Sequence, residues 1–394
     1  MMSLPHEVVQ EVLSEPRSLA ELQSVTQVSL PTLRRAVQDL SELKWIRVVG
    51  QAATRGGRPA MLFGPDTSRF TVVGVHLQLP GMRIIASDIG GGVLHEQKLY
   101  DDGLPSPEEA VAAILSYIAR IRAAHKERIF LGIGIASPGF MDPVTGDIVS
   151  IGRVPTWVNF PICRRLQAAS QLPVEIANDI DCMAFAEFLH SGESMAENLA
   201  YVGYDQAVKV SLFLGGRLYK GSLGNAGLIA GNLLRSDDGS AGPEVGSALT
   251  VEGVNHRLER LVGTLEASAR QPYAQLLQVK NLRERFRLVL RCEELEMPIC
   301  DEVVHDVFAA LAVAVANTIL MIQPDVTVIG GLLGVMNSDR FDALEAQIRS
   351  HLPKLVSNST IIRLGRHATQ NAAAIGASHH FLQTYLRDPS TSLA

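Results

Sequence analysis

Only four cysteines occur in the 394 residues, Cys163, Cys182, Cys292 and Cys300, far apart and with no CxxC spacing. That scarcity excludes a zinc finger and a disulfide framework, and reads as reduced, mostly buried thiols. Charge is scarce as well: 19% of residues are charged against 47% hydrophobic, a balance that suits a folded globular protein and excludes extensive disorder. The opening MMSLPHEVVQEVL has an acidic start and no long apolar run, so neither a signal peptide nor a membrane-spanning helix is expected, and the protein is expected in the cytoplasm. A positive net charge is also missing. The value of −6 speaks against a nucleic-acid partner only if the basic residues are spread evenly, because charge acts where it is concentrated. The length exceeds one typical domain and allows two or three.

The basic residues are not spread evenly. In HEVVQEVLS, Val8, Val9, Val12 and Leu13 have the spacing of one helical face, which Pro16 ends. Ser18 and Glu21 form a capping-box pair for a second helix carrying Leu19, Leu22 and Val25. Ser29 caps a third, LPTLRRAVQDLSEL, with Leu33, Val37 and Leu40 facing in and Thr32, Arg34, Arg35 and Gln38 facing out. Two short helices, a tight turn and a basic third helix form a helix-turn-helix, whose last element reads the major groove. The strand-like runs WIRVVGQ and AMLFGP then flank AATRGGRP, a wing in which Arg55, Gly57 and Arg58 can approach a phosphate backbone or a minor groove. The other reading is a helical protein-interaction module with a basic loop.

From Phe70 the pattern becomes strands: FTVVGVHLQL, MRIIASDI and VLHEQKLY, joined by turns at Pro80-Gly81 and Gly90-Gly91-Gly92. A helix near Pro107–Lys126 and the strand IFLGIGIAS follow. Within this meander SDIGGG raises the possibility of a nucleotide phosphate site, since an Asp followed by paired glycines can cradle phosphate oxygens. Its place decides the matter. It lies in the second turn, where it reads as a hairpin with glycines supplying positive φ.

The stretches LGIGIASPGFMDPVTGDIVS, Trp157-Val158-Asn159-Phe160-Pro161, LPVEIANDIDCMAFAE, NLAYVGY, GGRLYKGSLGNAG and IQPDVTVIGG together resemble the ROK family of bacterial repressors and sugar kinases. The resemblance covers nearly everything from the winged helix to the C-terminus. It implies an α/β fold: an N-terminal winged helix-turn-helix at 1–69 followed by a two-lobed actin-like ATPase body. The first lobe is expected at 70–176, joined by a returning helix at 378–390, and the second, with a dimerisation surface, at 177–377.

Kinases of the family carry DxGGT in the first hairpin turn, which here reads His76-Leu77-Gln78-Leu79-Pro80-Gly81, and a Gly-Thr-Gly run where this chain has Asp205 to Ser211. Both phosphate loops are altered, so no catalytic residue, no cofactor and no enzyme activity are expected. Gly330 and Gly331 match the family's nucleotide-side turn, as two glycines after a buried strand can without any ligand. Asn178 and Asp179 match the residues that hold sugar hydroxyls in relatives, with a helix cap as their other reading. The family's Glu and His on the facing wall stand here as Leu228 and Gly231, and its cysteine-rich zinc run is missing, so no metal is expected. Arg153 and Glu244 are further candidates for effector contact. The resemblance thus implies a cytoplasmic repressor, a homodimer or tetramer without a membrane segment, binding a double-stranded DNA operator under control of a sugar or sugar-derived effector in the cleft between lobes. Two alternatives remain: a sugar kinase with an unusual active site, and a DNA-binding scaffold without a small ligand.

Overall fold

The computed structural model describes residues 3–52, 59–100, 103–152, 154–190, 198–229, 233–235, 241–244, 249–292, 297–366, 370–388 and 393. The chain forms two compact units, 1–194 with 370–394, and 195–369.

The first unit opens with helices α1 (Leu4–Ser14), α2 (Leu19–Thr26) and α3 (Leu30–Glu42). Strands β1 (Arg17–Ser18), β2 (Ile46–Gln51) and β3 (Met61–Pro65) pair antiparallel in the order β1-β3-β2. The capping box forms as the sequence requires: Ser18 N–H donates to Glu21 Oε2 at 2.7 Å, and Glu21 N–H donates to Ser18 Oγ at 3.3 Å. Val8, Val9, Val12, Leu22, Leu33, Val37 and Leu40 are buried together. Val25, assigned to the same face, is 42% exposed; in so short a helix the apolar stripe reaches the core through Leu22, with Leu19 half-buried against it.

The winged helix shares its core with the body that follows. The Trp45 ring stacks on Phe70 with centroids 4.1 Å apart, and its indole N–H donates to the Leu393 carbonyl at 2.8 Å. Phe381, Leu382 and Leu386 of the C-terminal helix (Ala372–Arg387) belong to the same cluster. One buried surface therefore joins the helix-turn-helix, the first strand of the body and the last helix of the chain.

The expected meander is β4 (Phe70–Leu77), β5 (Met82–Asp88) and β6 (Val93–Leu99), followed by α4 (Pro107–Ala124) and β7 (Ile129–Ser137). Three short strands, β8 (Phe140–Met141), β9 (Ile148–Ser150) and β10 (Val158–Phe160), make a small sheet before α5 (Ile162–Ser170), β11 (Val174–Asn178) and α6 (Asp179–His190). The main sheet runs β11-β7-β4-β5-β6, with β11, β7 and β4 parallel. The C-terminal helix lies directly on it: a Cβ at Gly74 or Gly134 would sit 2.1 or 2.0 Å from the carbonyl oxygen of Ala374 or Ala377. That contact explains the glycines inside two otherwise apolar strands.

The border between units differs from the sequence reading, which places it at 176/177 and starts the returning segment at 378. It falls at 194/195, and the returning segment starts at 370. The physical reason is α6, which packs against the C-terminal helix and so stays with the first sheet.

The second unit holds a sheet of β12 (Leu199–Tyr204), β13 (Val208–Leu214), β14 (Arg217–Leu218), β17 (Val326–Gly331) and β18 (Ile361–Leu364), in the order β14-β13-β12-β17-β18. A separate pair, β15 (Leu233–Arg235) and β16 (Ala241–Glu244), precedes the helices α7 (Val251–Thr264), α8 (Leu282–Val289), α9 (Pro298–Ile322) and α10 (Ser338–Ser350). By length and composition alone α9 is apolar enough to cross a membrane, with mean hydropathy 1.9, but 61% of that stretch is buried within the fold, as in a core helix. Val303, Val307, Leu311, Val315 and Ile319 carry it into the unit's core.

Candidate functional site

Two regions of the first unit carry the candidate functional residues. On α3, Thr32, Arg34, Arg35 and Gln38 are all exposed while Leu33, Ala36, Val37 and Leu40 are buried, the two faces the sequence spacing predicts. Thr32 is also tied into the helix start: its backbone N–H donates to Ser29 Oγ at 3.4 Å, and the two hydroxyls lie 2.7 Å apart. Gln38 Nε2 donates to Glu42 Oε1 at 3.0 Å, which orients its amide along the helix surface. Both arginines thus project from a helix fixed at its N-terminus and packed along its opposite side, a suitable platform for hydrogen bonds to base edges. Strands β2 and β3 frame the wing, but Arg55, Gly57 and Arg58 lie outside the described residues.

The second region lies at the C-terminal ends of the parallel strands, where ligands of open α/β sheets bind. Register fixes its composition. His76 of β4 stands opposite Ala136 of β7, Ala177 of β11 is opposite the same Ala136, and Asn178 pairs with Ser137. Asp179 follows at the first position of α6, beside the positive end of a twelve-residue helix. The capping reading of this pair is realised in part: Ile180 N–H donates to Asn178 Oδ1 at 3.0 Å and to Asp179 Oδ1 at 2.9 Å. Asp179 Oδ2 faces the other way, 3.9 Å from His76 Nε2.

His76 is the residue that sequence reasoning missed as a site candidate. Its side chain is 1% exposed, and among the described residues neither ring nitrogen has a hydrogen-bond partner. A buried imidazole left unsatisfied costs about 1–3 kcal/mol, so its position calls for an explanation. The signal was present, since His76 opens the hairpin whose Asp is replaced. Arg153 lies outside the described residues, and Glu244 ends β16 with its backbone opposite Leu233. Leu228 is 45% exposed, and residue 231 lies outside the described segments.

SDIGGG is a self-contained turn. Asp88 Oδ1 accepts from Gly90 N–H at 2.8 Å and Gly92 N–H at 3.0 Å, and Gly91 N–H donates to the Asp88 carbonyl at 3.1 Å. Burial raises the Asp88 pKa above the usual carboxylate value, and these amide contacts partly offset that rise. Only Gly91 has a positive φ, 89°; at Gly92 a Cβ would lie 2.6 Å from Asp88 Oδ2, so that glycine is there for room rather than for φ.

The nucleotide-side positions of the second unit are occupied by its own side chains. Gly331 N–H donates to Tyr201 Oη at 3.1 Å, and a Cβ at Gly330 would be 2.2 Å from the same oxygen. At the altered second loop, Asp205 is 3% exposed and its Oδ1 accepts from Arg283 Nε at 2.5 Å. Val208, Lys209, Val210 and Ser211 are buried strand residues of β13. Backbone donors in the one turn and open loop geometry in the other are what a triphosphate requires.

The model of the ROK family matches residues 74–247 and 261–384. The chain belongs to the ROK family. A crystal structure of a ROK family transcriptional regulator, a homolog of the E. coli MLC protein, superposes with a TM-score of 0.76 at 18% identity, covering 98% of this chain and 96% of that one. The chain therefore has the N-terminal winged helix as well as the ROK body. A ROK glucokinase from Streptomyces griseus, in complex with glucose and AMPPNP, superposes with a TM-score of 0.62 at 15% identity over 78% of this chain and 98% of that one. In sequence, a beta-glucoside kinase of Listeria innocua is 26% identical over 310 residues, 77% of this chain and 98% of the kinase. A xylose repressor of Caldicellulosiruptor bescii is 20% identical over 320 residues, 79% of this chain and 78% of the repressor. Repressors and kinases both appear among these ROK relatives, so the chain's own residues must separate the two activities.

Proposed function

We propose that this ROK protein is a sequence-specific transcriptional regulator, a repressor, whose operator affinity is set by a sugar or sugar-derived effector held at Asn178 and Asp179. The observation that carries the reading is the α3 face: Arg34 and Arg35 exposed on a capped helix whose inner side is welded to the body through Trp45. The likeness to a ROK transcriptional regulator homologous to MLC and to a xylose repressor supports it. Arg153 and Glu244 remain proposed effector contacts, and Arg55, Gly57 and Arg58 proposed wing contacts to DNA. A homodimer or tetramer is proposed because two winged helices meet two half-sites. The working compartment proposed is the cytoplasm.

The relation to beta-glucoside kinases favours a second reading, a sugar kinase. Tyr201 on Gly331 and the Asp205–Arg283 pair speak against it, because each occupies a group that a nucleotide would need. The test is selection of a bound sequence from random duplexes, followed by a thermal-shift screen with sugars, polyols and sugar phosphates. One selected motif, released or tightened by one sugar, is expected. Uniform weak affinity for all duplexes would defeat the regulator reading, and sugar-dependent ATP turnover would favour the kinase.

A further inference from the structure

Three sulfur atoms meet in the second unit where no function has been assigned. Cys292 follows α8, Met297 caps α9, and Cys300 lies in the first turn of that helix. Cys292 Sγ and Cys300 Sγ each lie 3.9 Å from Met297 Sδ. Both thiols donate to the Met297 thioether, and all three residues are buried, at 6%, 9% and 0% exposure in chain order. The Met297 thioether sulfur is therefore equidistant from the two thiol sulfurs.

We propose that Cys292, Met297 and Cys300 form a three-coordinate site for a soft monovalent d10 cation, Cu(I), inside the second unit.

The geometry fits the ion. Metal–sulfur bonds of first-row ions are about 2.3 Å. An ion centred in a plane of three such sulfurs sets them about 4 Å apart, close to the 3.9 Å that already separates each thiol from the thioether. The donor chemistry fits as well, because two thiolates and a thioether select a soft ion, whereas zinc prefers four ligands drawn from thiolate, imidazole and carboxylate. On binding, both S–H groups become thiolates, two protons leave to solvent and one cation enters. A disulfide between the cysteines would leave the equidistant thioether unexplained.

The test uses the full chain, reduced and free of oxygen, titrated with Cu(I) against bathocuproine disulfonate. One Cu(I) per chain should pass from the competitor to the protein, and X-ray absorption should show three sulfurs at about 2.3 Å. Zn(II) in the same protein should go to a chelator of ordinary strength. Met297→Leu should weaken the site about tenfold, and Cys300→Ser about a hundredfold or more. Loading should also protect Cys292 and Cys300 from alkylation, read by mass spectrometry on the unmutated protein, so the result does not depend on the variants folding. Failure to take Cu(I), a shell of two sulfurs, alkylation at the unloaded rate, or full stoichiometry in a Cys292→Ser, Cys300→Ser double variant would each overturn the proposal.

Discussion

At position 76 an imidazole is buried with both nitrogens unmatched, beside a carboxylate oxygen 3.9 Å away. Such a group is held in place by the strand it sits on, and it becomes satisfied if a hydroxyl bridges it to Asp179. If the effector supplies that hydroxyl, His76→Leu should leave the ligand-free melting temperature unchanged or slightly raised, since an orphaned polar group is removed. The same change should reduce the sugar-induced shift about tenfold in apparent affinity. A variant that melts far lower without any sugar would show that His76 is a structural residue instead. On α3 and in the wing the expected consequences differ in kind. Arg35→Ala should cost roughly 1–3 kcal/mol at the operator and relax preference at one position of each half-site. Arg58→Ala should weaken all duplexes more evenly and make the salt slope shallower by about one unit. A salt titration of both variants on operator and random DNA separates these outcomes.

At the scale of elements, the C-terminal helix does the joining. It covers the sheet at Gly74 and Gly134, packs on α6 behind Asn178 and Asp179, and contributes Phe381, Leu382 and Leu386 to the core that holds α1 and α3. The proposed effector residues Asn178 and Asp179 and the exposed face of α3 thus border one helix, which would offer a route for coupling within a single unit. Truncation after Arg387 tests its terminal contact, for it removes the Leu393 carbonyl that accepts from Trp45 and the Leu393 side chain buried beside it. An unsatisfied indole N–H and a lost leucine together cost about 2–5 kcal/mol. In a Trp157→Phe background, the truncated protein should melt lower and its Trp45 emission should shift to the red. An unchanged spectrum would mean that the tail contact does not hold the winged helix. Much of this architecture was legible beforehand, because caps and periodicity are local: Ser18 with Glu21, the inward face of α3 and the three-strand meander all appear as read. What was not legible depends on contacts between distant residues. No local pattern links Trp45 to Leu393, moves the unit border past α6, or gathers Cys292, Met297 and Cys300.

At the scale of the whole molecule, the sharpest expectation concerns phosphoryl transfer, because the ROK family includes enzymes and regulators on one fold. Three separate positions bear on it. The first hairpin offers buried His76 instead of an Asp-x-Gly-Gly-Thr turn, the β12–β13 loop carries Asp205 paired with Arg283, and the glycine turn after β17 gives its Gly331 N–H to Tyr201. Phosphoryl transfer depends on positioning and charge neutralisation, and in most enzymes that perform it backbone donors and a metal ion supply both. A carboxylate at the second loop would instead repel a triphosphate. Restoring one position should therefore not restore activity: Tyr201→Phe frees the Gly331 N–H but leaves the other two unchanged. Purified protein, Tyr201→Phe and Asp205→Gly should all show ATP turnover indistinguishable from a no-protein control with any hexose tested. Turnover that needs a sugar and disappears in Asp179→Asn would reverse the assignment, since Asp179 would then be acting as the base that takes the hydroxyl proton. The choice of Asp179→Asn matters, because an asparagine keeps the side-chain oxygen that caps α6 while removing the charge, so a loss of turnover could not be put down to a loss of fold.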